Sequence, residues 1–177
     1  MRVFERSELR AHSPLVFHYK MTSKNKASSK YNVKKSTDDR TCDGIVFDSA
    51  MEMKFYRDVI LPNLGSGVIK RFELQKPYEL QPKFTRGGKT IKSITYVADA
   101  YIEYADGSII LYDVKGMADT TAKIKRKMFW YRYPEIDYRW ITYLKKYGGW
   151  IDYDEAQKLR REEKKNKKKM EECFDEE

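Results

Sequence analysis

The chain has 177 residues, of which 36% are charged and 14% aromatic, and a formal net charge of +9. That length suits one domain, or one domain with a short appendage, and 14 Tyr, 8 Phe and 3 Trp argue against wholesale disorder. No apolar run approaches the ~20 residues that cross a bilayer, and the N-terminus lacks the apolar centre of a signal peptide. The expected setting is therefore the cytoplasm, with a polyanion as the first candidate partner. Two cysteines, Cys42 and Cys173, make neither a disulfide framework nor a four-thiolate zinc site, and the histidines are only His12 and His18. Hydrolytic chemistry in this chain has to run on carboxylates and lysines.

The charge divides the chain. Residues 2–40 hold ten basic and four acidic side chains, residues 41–157 hold eighteen and sixteen, and residues 158–177 hold eight and seven. The expected organisation is a basic, flexible N-terminal arm over 1–40, a near-neutral core over 41–150 and a charged C-terminal helix over 151–177. In the arm, Lys24, Lys26 and Lys30 are candidate phosphate grips; a solvated leader is the alternative.

In chain order, Ser49-Ala-Met-Glu52 has capping-box spacing and starts a helix whose apolar stripe is Met51, Phe55 and Val59. Pro62 and Gly65 are expected to end it. Val68 to Leu74 and Tyr78 to Phe84 read as strands, with Pro82 marking an edge or a bend. Gly87-Gly88 is a turn, Ile91 to Tyr104 is one long strand or two, and Ser108 to Lys115 follows the hairpin signal Asp106-Gly107. A helix is expected over Thr121 to Tyr133 with Ile124, Met128 and Tyr131 on one face. Ile136 to Leu144 is a further strand with Ile136, Tyr138 and Trp140 on one side. A helix should run from Asp152 to about Glu172. The order is helix, three or four strands, helix, strand, which predicts an α/β fold with a mixed sheet.

Asp99 and Asp113 lie in otherwise apolar strands, where an ionised carboxylate is costly unless paired or metal-bound. Alternation places Asp113 and Lys115 on one face. Asp99 joins them only in one register. A two-residue Asp106-Gly107 loop would set it opposite Val114, whereas a three-residue loop, Ala105-Asp106-Gly107 with the glycine left-handed, pairs Tyr104 with Ser108 and sets Asp99 opposite Asp113. The second register is the expected one. Two opposed carboxylates repel unless a divalent cation lies between them. Hard oxygen ligands of this kind suit Mg²⁺ or Mn²⁺, which polarises a phosphate and activates water, and the neighbouring lysine can stabilise negative charge. Glu52 can add a carboxylate from the first helix.

Asp99, thirteen intervening residues, then Asp113-Val-Lys115, with Glu52 on an upstream helix, resembles the PD-(D/E)XK nuclease superfamily. The strings Phe47-Asp-Ser-Ala-Met-Glu, Glu79-Leu-Gln-Pro-Lys-Phe, Ile94-Thr-Tyr-Val-Ala-Asp, Asp113-Val-Lys-Gly and Lys123-Ile-Lys-Arg-Lys resemble a phage and prophage family within it, over roughly residues 30–143. Ala98 stands where the superfamily's name has proline. The resemblance implies an αβββαβ restriction-endonuclease-like core and a Mg²⁺- or Mn²⁺-dependent deoxyribonuclease. It implies Glu52, Asp99, Asp113 and the Val114 carbonyl as metal ligands and Lys115 as the catalytic lysine. It also implies branched or structured DNA as substrate in phage replication or recombination, as for a junction resolvase, and a homodimer in the host cytoplasm. A non-catalytic nucleic-acid-binding protein on the same fold is the alternative.

Lys123, Lys125, Arg126 and Lys127 follow the active strand and are candidate DNA-backbone contacts, with a solvated helix face as the alternative. Gln81 is a candidate contact to the scissile phosphate or its water, or simply a strand-end hydrogen bond. For Phe129, Trp130 and Tyr131, a core or dimer-interface role is expected over base stacking.

Overall fold

The computed structural model describes residues 3–5 and 38–174 of the chain. Lys24, Lys26 and Lys30 lie outside the described residues. A short strand, β1 (Val3–Glu5), stands within the stretch expected to be a flexible arm and pairs antiparallel with β4. A two-stranded ribbon, β2 (Thr41–Cys42) and β3 (Ile45–Val46), leads into the first helix.

That helix begins where the sequence places it, with Ser49 as N-cap. It does not stop at Pro62. It runs as α1 (Ala50–Phe55), a π-helical turn (Tyr56–Ile60) and α2 (Leu61–Ser66), and ends at Gly67 with φ +83°. Pro62 falls at the first turn of α2, where its missing N–H costs little after the wider turn.

The two strands expected before Gly87 are one long strand to Gln81, β4 (Ile69–Gln81), followed by a separate hairpin of β5 (Phe84–Arg86) and β6 (Lys89–Ile91). Then come β7 (Ile94–Tyr104), β8 (Ile109–Val114), α3 (Thr120–Arg132), β9 (Asp137–Leu144), β10 (Gly149–Asp152) and α4 (Tyr153–Phe174). The main sheet has the order β1-β4-β7-β8-β9-β10. Only β8 and β9 pair in parallel, joined by α3, so the fold is α/β with a mixed sheet. β10 was not expected from the sequence. Gly148 and Gly149 are both at positive φ and turn the chain back onto β9 rather than ending the sheet.

Two apolar layers cover the sheet. On the α1–α2 side, Phe55, Tyr56, Ile60 and Leu64 pack on Phe72, Ala100, Ile102, Val114 and Ile141. On the other, Phe129 of α3 and Tyr153 of α4 pack with Tyr96, Tyr138 and Trp140. The side of β9 carrying Ile136, Tyr138 and Trp140 is inward, as the alternation predicts. Of the face expected of α3, only Met128 packs against this layer. Ile124 is 54% and Tyr131 90% exposed, while Phe129 is fully buried. Sheet contact selects Ala122, Phe129 and Tyr133, and the apolar residues at 124 and 131 are left on the solvent side.

Candidate active site

The hairpin register decides the site. β7 pairs with β8 through Glu103–Ile109, Ile102–Ile110, Tyr101–Leu111 and Ala100–Tyr112. The loop is the three-residue one: Tyr104 N–H donates to the Ser108 carbonyl at 2.9 Å, and Gly107 is left-handed at φ +86°. Continued by one rung, this register sets Asp99 opposite Asp113. At that rung the Asp99 carboxylate takes over as acceptor, receiving the Val114 N–H on Oδ2 at 2.7 Å.

A second feature places Asp99 where both layers can reach it. On β4, Leu74 pairs with Ala100 and Lys76 with Ala98, so the residue on the Asp99 rung is Gln75, which has φ +55°. Beyond this rung the strands exchange faces. Phe72, Leu74, Ala100 and Ile102 belong to the α1–α2 layer, whereas Tyr78, Leu80, Tyr96 and Ala98 belong to the α3–α4 layer. A left-handed residue resets the alternation of a strand. Asp99 therefore sits at the crossover, where Glu52 acts on it from α1, Asp113 from β8 and Lys115 from just beyond its end.

Asp113 is 1% exposed. Its two oxygens each lie 2.8 Å from the Lys115 ammonium. Behind it, the Tyr138 hydroxyl, which receives the Trp140 indole N–H, donates to Tyr96 at 2.6 Å or to Asp113 Oδ2 at 3.3 Å. Burial, then the Asp113 charge, push the pKa of both tyrosines up, so both hydroxyls keep their protons. Sequence reasoning missed this support. Its signal, a polar tip at Tyr138 on the side of β9 that faces β8, acquires meaning only once the parallel register sets Trp140 beside Asp113.

Glu52 is held by Ser49, whose hydroxyl donates to Oε1 at 2.7 Å while accepting the Glu52 N–H at 3.1 Å. Its Oε2 is buried and has no hydrogen-bond partner. Burial pushes the Glu52 carboxyl up to about 7; the Ser49 hydrogen bond and Lys115 oppose this, and Asp48 and Asp113 add to it. Asp99 is held well above the usual carboxylate range by burial first, then by Asp113 and Glu52. Burial works against the Lys115 ammonium, but Asp113, Asp99 and Glu52 outweigh it and its pKa is raised. Burial and the two neighbouring carboxylates thus both disfavour charge on Asp99, the burden that a cation between opposed carboxylates would relieve.

Among the described residues no three His, Cys, Asp or Glu side chains form a ready-made metal cage; the Lys115 ammonium occupies the Asp113 oxygens. The donor set still fits a hard divalent cation: three carboxyl groups in mutual electrostatic contact and one orphaned buried carboxylate oxygen.

The other candidates scatter. Gln81 pairs with Ile94, five residues along β7 from Asp99, or about 17 Å at strand rise, so the fold does not bring it to the carboxylates. Lys125 Nζ donates to the Thr95 carbonyl at 2.8 Å. Arg126 is ion-paired with Asp154 at 2.8 Å and lies 4.4 and 4.3 Å from the Trp130 and Trp140 ring centroids, as a strut between α3, α4 and β9. Lys123 and Lys127 are exposed on the outer face of α3.

A family model described as Protein of unknown function (DUF1064) matches residues 28–149, a span that contains Glu52, Asp99, Asp113 and Lys115. No curated protein matches the chain.

Proposed function

The chain belongs to the DUF1064 family, whose function is not assigned, and we propose from the chemistry of its site that it is a divalent-metal-dependent deoxyribonuclease of PD-(D/E)XK type. One observation carries this reading. The hairpin register, continued one rung, brings Asp99 to Asp113, with Lys115 on Asp113 and a buried Glu52 carboxyl, one oxygen unpartnered, that feels the charges of both Lys115 and Asp113. The Glu52 oxygen without a hydrogen bond is a free acceptor beside two further carboxyl groups, which is what a hard cation requires.

Glu52, Asp99 and Asp113 would hold Mg²⁺ or Mn²⁺, with the Val114 carbonyl as the backbone ligand. Bound there, the ion supplies Lewis-acid charge to a phosphate and a water of lowered pKa. The residues themselves do the rest. Asp99 would present its carboxylate to the ion from the β7 side of the site. Tyr138 steadies Asp113 from behind. Lys115, kept protonated by its acidic neighbours, offers a positive charge to the phosphorane-like charge that develops in hydrolysis. Lys123 and Lys127 lie on the helix that follows the active strand and suit backbone contacts.

The reading extends to branched or structured DNA, processed in phage replication or recombination by paired copies of the chain in a host cytoplasm. No helix among the described residues is long and apolar enough to cross a membrane. The test is incubation of plasmid and four-way-junction DNA with Mg²⁺, Mn²⁺ or EDTA. Metal-dependent cleavage lost in Asp113→Ala and Lys115→Ala supports the reading; cleavage indifferent to both variants refutes the site. A non-catalytic nucleic-acid-binding protein on this fold would bind DNA but bind no metal at Asp99 and Asp113.

A further inference from the structure

Between β4 and β7 the chain leaves the sheet. Residues 82–93 hold Lys83, Arg86, Lys89 and Lys92 and no acidic residue, and all twelve positions are exposed. This is not a floppy loop. Phe84 pairs with Ile91, Thr85 with Thr90 and Arg86 with Lys89. Gly87 and Gly88 both have positive φ, +56° and +71°, as a two-residue primed turn requires. The register is also that of the β4–β7 end, where Gln81 pairs with Ile94. The ribbon is a continuation of two sheet strands past the interruption at Pro82.

Three details are unexplained by folding. Arg86 and Lys89 are directly opposed across the ribbon, a like-charge pairing that costs stability. None of the four cations is paired with a carboxylate among the described residues. The apolar pair Phe84 and Ile91 is 42% and 39% exposed, with no sheet face beneath it. A polyanion resolves the first two, and a base edge or sugar resolves the third.

We propose that the β5–β6 ribbon is a duplex-DNA clamp that lies in a groove of the substrate. A two-stranded ribbon matches the ~12 Å width of the major groove. The Arg86–Lys89 rung is ten residues along the strand from Asp99, at most about 33 Å at strand rise, which is close to one turn of duplex, ~34 Å. The clamp therefore grips DNA within about one turn of the carboxylates, with Lys83 and Lys92 at its base and Arg86 and Lys89 at its tip. This deepens the nuclease reading by naming the form of nucleic acid held, and it rests on that reading only for the relation to the cleavage point.

The test measures binding apart from cutting. A labelled 30-base-pair duplex is titrated by anisotropy in EDTA from 50 to 200 mM salt with the wild-type chain and with the K83Q/R86Q/K89Q/K92Q variant. Four phosphate contacts correspond to a slope of log K against log salt shallower by up to about 3.6 in the variant. That is about 150-fold of the wild type's affinity loss over this salt range. An equal-charge control, R161Q/K164Q/K165Q/K169Q in α4, is expected to keep the wild-type slope to within about one contact. Equal slopes in wild type and ribbon variant overturn the proposal, as does a control that falls as far. Loss of affinity for single strands with duplex affinity intact also overturns it, because the ribbon then reads unpaired bases. The nuclease reading fails separately: a wild type that binds through the ribbon but does not cut in Mg²⁺ or Mn²⁺ leaves the clamp standing.

Discussion

Replacing Glu52 with Gln isolates the electrostatic cost of the site. Glutamine keeps an oxygen for the Ser49 hydroxyl, which now donates to Glu52 Oε1 at 2.7 Å, and removes only the charge. In the folded chain the carboxyl is raised from its ordinary 4.5 to about 7 by burial. A raised acid binds its proton more tightly folded than unfolded, so wild-type stability falls as pH rises from 4.5 to about 7 and is level above that. At about 1.36 kcal/mol per pH unit, the full penalty is about 3 kcal/mol at pH 8, an upper figure because Asp99 shares the same charge burden. Glu52→Gln should be more stable than wild type by up to that amount at pH 8, or about 6–12 °C in Tm for a chain of this size. The gain should shrink to under ~0.5 kcal/mol at pH 4.5. Urea denaturation of both proteins from pH 4.5 to 8.5 in EDTA measures this. Repeating it in Mn²⁺ at about 1,000 times its Kd should reverse the order, since a ligand at that excess adds about 4.1 kcal/mol to the chain that binds it. A variant equally stable or less stable at pH 8 without metal, or a gain independent of pH, would refute the charge burden.

Lys115→Met leaves Asp113 buried without its cation and should cost about 3–5 kcal/mol at pH 8 in denaturant titration; adding Asp113→Asn should recover most of it, and no recovery would mean the pair is not coupled. Tyr138→Phe removes the acceptor of the Trp140 indole N–H and a donor to Asp113, for an expected loss of about 1–3 kcal/mol by the same measurement. Gln75→Gly should be stabilising by about 1 kcal/mol, the relief of a left-handed backbone less the added chain entropy; destabilisation beyond that error would show that the Gln75 side chain is needed at the crossover. Phe129→Ala should cost about 3–5 kcal/mol, while Tyr131→Ala two positions on, at 90% exposure, should stay within about 0.5 kcal/mol.

Much of the local structure was legible because it depends on neighbours in sequence. The Ser49 cap, the Asp106-Gly107 turn and the alternation of Ile136, Tyr138 and Trp140 follow from short-range sterics and period. The three-residue loop was legible for the same reason, and it carried the register that brings Asp99 to Asp113. What failed were readings that needed a partner to be known. Pro62 ended a helix on paper, but a π-helical turn before it moved the proline to a first-turn position. Ile124 and Tyr131 looked like a core stripe, but the sheet took the Phe129 side of α3.

By itself the sequence determined an α/β chain with two carboxylates, a lysine and a helix-borne glutamate in one neighbourhood. Spacing and turn chemistry are local, and they suffice for that. Only the tertiary structure decided that Gln75 is left-handed on the Asp99 rung, so that layers on opposite sides of the sheet converge on one carboxylate. Only it showed that Tyr138 stands behind Asp113, and that Arg126 is a strut while four cations between Gly87-Gly88 and the sheet are without carboxylate partners on a two-stranded ribbon. These depend on which strands pair and which faces meet, and long-range pairing is fixed by the packing of the whole core.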